Sequence, residues 1–93
     1  MGLPIYNKQP ADVIDIDIAC SDWLPSTDSI ASAVSTSVAG ITRGLSEIDN
    51  VQKIVKQWIS GGTTGNTYKV TVTITSTQGR VKEADFNVKV KEL

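Results

Sequence analysis

The chain has no histidine, one cysteine (Cys20) and two tryptophans, two tyrosines and one phenylalanine among 93 residues. Without histidine, neither Ser-His-Asp nor Cys-His catalysis is available, and the common zinc sites are excluded as well. One cysteine allows no intramolecular disulfide and no thiolate cluster, which fits synthesis in a reducing cytosol. No apolar run approaches the ~20 residues that a membrane-spanning helix requires. The first residues, Met1 to Tyr6, lack the basic start and long apolar core of a signal peptide. Gly2 does not open a myristoylation motif, because Tyr6 stands where Ser or Thr is needed. A net charge of −1 argues against general nucleic-acid binding.

What charge there is divides unevenly. Residues 1–50 hold two basic and seven acidic side chains, whereas residues 51–93 hold seven basic and three acidic ones. Interleaving of strands from the two halves in one sandwich would largely cancel this polarity. If it persists in the fold, it offers a self-complementary surface for stacking identical subunits.

Alternation is the strongest positive signal. Tyr68, Val70, Val72 and Ile74 share one face of a period-2 run, and Lys69, Thr71, Thr73 and Thr75 share the other. After Thr77-Gln78-Gly79-Arg80, the residues Ala84, Phe86, Val88 and Val90 repeat the pattern. The two runs read as a β-hairpin with Gly79 supplying the positive φ. Lys82, Lys89 and Lys91 suggest a solvent face and a protected edge strand. Arg80 is either a solvated turn residue or a charged tip for partner contact.

Earlier in the chain, Ile14, Ile16, Ile18 and Cys20 alternate with Asp15 and Asp17, giving a strand with one wet face. Asp15, Asp17 and Asp22 invite a cation, but the spacing lacks the glycine and distal glutamate of an EF-hand. Edge protection is the plainer explanation. Trp23, beside Leu24 and ahead of Pro25, is expected to cover one end of the core. Ile30, Val34 and Val38 share one face of a further strand, with small residues opposite. Residues 40–50 are broken by Gly40 and Gly44, with Leu45 and Ile48 as anchors of a short strand.

Residues 51–59 conflict with themselves. Val51, Ile54, Val55, Trp58 and Ile59 have helical spacing. A strand instead places Val55, Gln57 and Ile59 on one face and Ile54, Lys56 and Trp58 on the other. The strand is preferred because of its all-β surroundings and the Gly61-Gly62 exit; a helix would make the fold α+β.

The Gly61-Gly62-Thr63-Thr64-Gly65 loop lacks the Gly-Lys-Ser/Thr ending of a P-loop and leads into a strand, so it reads as a turn between sheets. Gly61, Gly62 and Gly65 then shape a corner, and Tyr68 suits a tyrosine corner with its hydroxyl bonded to nearby backbone. No nucleophile–base pair is identifiable and no cofactor or metal is called for, so an enzyme is not expected. Residues 1–11, with Pro4 and Pro10, read as an extended N-terminal arm ahead of a domain spanning 12–93. Together these signals describe an all-β, immunoglobulin-like β-sandwich of about seven antiparallel strands.

The sequence also resembles a family of small tailed-bacteriophage and prophage proteins, the phage fiber-tail adaptors. The carriers are Ile16-Asp17-Ile18, Ser21-Asp22-Trp23-Leu24, Asp28-Ser29-Ile30, the segment Trp58 to Tyr68, and the Thr75 to Arg80 turn. Gly-Gly-Thr-x-Gly-x-x-Tyr is the most distinctive. The resemblance implies a virion structural protein of the neck or tail, made in the host cytoplasm and assembled into a multi-subunit ring. It would bind neighbouring neck or tail proteins through loops and arm, with Leu3, Ile5, Tyr6, Trp23 and Arg80 as contact residues. It implies no nucleic-acid or membrane partner. The other reading is an immunoglobulin-like carbohydrate-binding or adhesion module, which would want a cluster of exposed aromatics.

Overall fold

The structure is a computed structural model and describes residues 4–92. Seven strands form: β1 (Ile5–Lys8), β2 (Ile14–Ala19), β3 (Ile30–Ser37), β4 (Ile41–Asp49), β5 (Ile54–Gly61), β6 (Thr67–Ser76) and β7 (Val81–Val90). They make a four-stranded sheet ordered β1-β7-β6-β3 and a three-stranded sheet ordered β2-β5-β4. The fold is all-β, and no helix interrupts it among the described residues. Among the described residues only β4–β5 and β6–β7 are hairpins within one sheet; the connections after β1, β2, β3 and β5 cross between sheets.

The core lies between the sheets because alternation puts one apolar face of each long strand inward. Val70, Val72 and Ile74 of β6 meet Phe86, Val88 and Val90 of β7 on one side and Val55 and Ile59 of β5 on the other, all buried. Ile16, Cys20, Leu24 and Ile30 complete this cluster, and Trp23 packs against it. Burial pushes the Cys20 thiol pKa up, so this cysteine behaves as a small apolar core residue.

Several expectations change in the folded chain. Pairing is antiparallel except between β1 and β7, which run parallel. Residues 5–8, placed by the sequence in an arm, are extended but belong to the sheet. β1 pairs with β7 only at Asn87–Val90, so Lys89 lies on a stretch with a neighbour on both sides, whereas Lys82 lies where β7 is still an edge. The single face expected for Ile30, Val34 and Val38 is also corrected. A register shift between Ile30 and Ser32 changes the phase, so Ile30 stays buried while Val34, 61% exposed, and Val38 turn to solvent. A β-bulge has this effect because one extra residue inverts every later side chain.

Residues 54–61 are a strand, with the two faces the strand reading assigns. Residues 51–53 belong to the preceding turn, where Lys53 takes φ 58°. The helical spacing arose because Gln57, a polar residue, occupies an inward strand position. Its burial follows from a second bulge: β4 shifts register between Arg43 and Ser46, so Gly44 and Leu45 oppose Trp58. Gln57 Nε2 donates to the Gly44 carbonyl at 3.1 Å and to the Trp58 carbonyl at 3.0 Å. Its Oε1 accepts from the Ser46 hydroxyl. The side chain therefore replaces bonds that the bulge removes from the ladder.

Candidate functional site

The sequence-predicted corner residues lie at one end of the sandwich. Tyr68 opens β6 with only 5% of its surface exposed. Its hydroxyl oxygen accepts from the Thr63 N–H at 2.9 Å and from the Asn66 amide at 3.4 Å. These donors, Asn66 first and then Thr63, hold the phenol pKa below its ordinary value. Gly62 has φ +94°, and a Cβ there would lie 2.7 Å from Val90 Cγ2 and 3.3 Å from the Tyr68 ring. On the other side of the ring, a Cβ on Gly40 would come within 2.9 Å. Gly61 also has positive φ; Gly65 does too, but has open space beside it.

Lys8 closes the same end. Its side chain is buried, and Nζ donates to the carbonyls of Gln9 (2.6 Å), Pro10 (3.2 Å) and Gly61 (2.6 Å). Three carbonyls match the three N–H bonds of an ammonium, so β1 is tied to the loop that shelters Tyr68.

At the opposite end the organising residue is Asp28, fully buried between β2 and β3. Oδ1 accepts from the Ser29 N–H (2.8 Å), the Thr77 hydroxyl (2.8 Å) and the Gln78 N–H (3.2 Å). Oδ2 pairs with Arg80 at 2.8 Å. Burial alone would raise the carboxyl pKa, but donors from Ser76, Thr77, Ser29 and Arg80 outweigh it and hold it well below the usual carboxylate range. The Asp28 carbonyl accepts from Lys53 Nζ at 2.7 Å, and Asn50 bonds both the N–H and the carbonyl of Ile30. Three connections from distant parts of the chain are thus fixed to one another.

The proposed contact residues are not gathered in one place. Ile5 is exposed on β1, while Tyr6 meets Phe86 edge-on with ring centroids 5.6 Å apart. Trp23 packs on the core, Arg80 serves Asp28, and Leu3 lies outside the described residues. Asp15 and Asp17 face outward on β2, with Asp15 3.5 Å from Lys56. Among the described residues no three His, Cys, Asp or Glu side chains gather as a metal-binding group. Asp28, Lys8 and Gln57 were missed. For Asp28 the only local hint is its place in a turn, because its cationic partner stands 52 positions away.

The charge polarity of the sequence survives in part. Strands of the three-stranded sheet carry four acidic and two basic residues; those of the four-stranded sheet carry four basic and two acidic. Interleaving is incomplete because β2 and β4, both from the acidic half, lie in one sheet. Arg43 crosses between the sheets, its guanidinium donating to Ser35 and Ser37 of β3. Covering a strand edge in this way limits unwanted pairing.

These polar groups fix loops and strand edges, and the class they define is a two-sheet, all-β domain. Comparison with known families makes this particular. The chain belongs to the family described as the podophage GP4 fiber-tail adaptor protein gp77, whose model matches residues 8–89. No curated protein matches the chain.

Proposed function

We propose that the chain is a virion structural protein of the neck or tail, acting as an adaptor through protein–protein contacts within a multi-subunit assembly. The observation that carries this reading is the family match over residues 8–89, which takes in nearly the whole sandwich. In this reading the two sheets form an immunoglobulin-like domain, with the corner of Gly61, Gly62, Gly65 and Tyr68 as a structural element. Loops at the two ends then provide the contacts, because they are held rigid on a scaffold. Residues 1–11 act as an N-terminal contact segment, with Ile5, 60% exposed, directed at a neighbour. The opposite charge excess of the two sheets supports contacts between identical subunits in a ring. The protein works without a cofactor or catalytic residue, is assembled in the host cytoplasm and resides in the virion.

The test is light scattering coupled to size-exclusion chromatography, on the chain alone and mixed with tail particles of the parent phage. A discrete multi-subunit species, free or on the particles, is the expected result. A strict monomer that ignores the particles but is retarded on a glycan column would favour the adhesion module instead. That alternative gains little from the aromatics, since Trp23 packs on the core and the Trp58 indole N–H is bonded to Glu47 at 2.7 Å.

A further inference from the structure

We draw no further inference here: the strongest candidate, the outward face of the three-stranded sheet where Asp15, Asp17, Glu47 and Asp49 flank Ile54, Lys56 and Trp58, is an acidic surface patch, and nothing in the structure shows what covers it.

Discussion

Two glycines of the loop before Tyr68 oppose replacement by alanine to different degrees. At Gly62 both the positive φ and the 2.7 Å approach to Val90 oppose a side chain, whereas at Gly65 only the φ does. Gly62→Ala should accordingly cost more than Gly65→Ala, with the first expected at about 2–3 kcal/mol and the second at about 1 kcal/mol. Urea midpoints of the two variants check this; equal costs would mean that the ring and Val90 move aside freely. These glycines are legible in the sequence, since a cluster of them before a strand has few other uses. The buried polar residues are not. Lys8, Asp28 and Gln57 look like surface residues until carbonyls and donors from elsewhere in the chain surround them, and no local pattern encodes those neighbours.

At the scale of elements, β6 was visible because it alternates from end to end and β7 because its second half does, whereas β5 was chosen over a helix only from its surroundings. β1 and β3 show where that method stops. A four-residue strand is too short to display a period, and a bulge resets the phase without changing composition. What holds β1 is therefore better tested than read. Replacing Lys8 with Met keeps the bulk of the side chain but leaves three carbonyls without their ammonium. A loss of about 1–3 kcal/mol is expected. Amide exchange should accelerate for the Asn87 and Lys91 N–H groups, which donate to Pro4 and Lys8. Unchanged protection there would show that β1 is held by its ladder alone.

For the whole molecule, the two ends of the sandwich differ in how they respond to acid. The Tyr68 end is built from neutral donors and a lysine, while the other depends on an ionised Asp28. Because the folded pKa of Asp28 lies below its unfolded value, its contribution is fully present above about pH 4, the ordinary aspartate range. It is lost as pH falls through the folded value. Stability should thus decline in strong acid, and Asp28→Asn should flatten that decline while lowering the melting temperature at neutral pH. Arg80→Ala should lower it as well, by leaving a buried carboxylate without its cation. A variant with an unchanged acid limb would assign the limb to other carboxylates.

The Asp28–Arg80 pair also sets an order of events during synthesis. When Asp28 leaves the ribosome, the residues that will neutralise it have not yet been made; Thr77, Gln78 and Arg80 arrive roughly fifty positions later. Until then its carboxylate is best hydrated, which keeps β2 and β3 from closing over it. The sandwich can become a committed native structure only once the last hairpin has emerged, since contacts so distant along the chain form late.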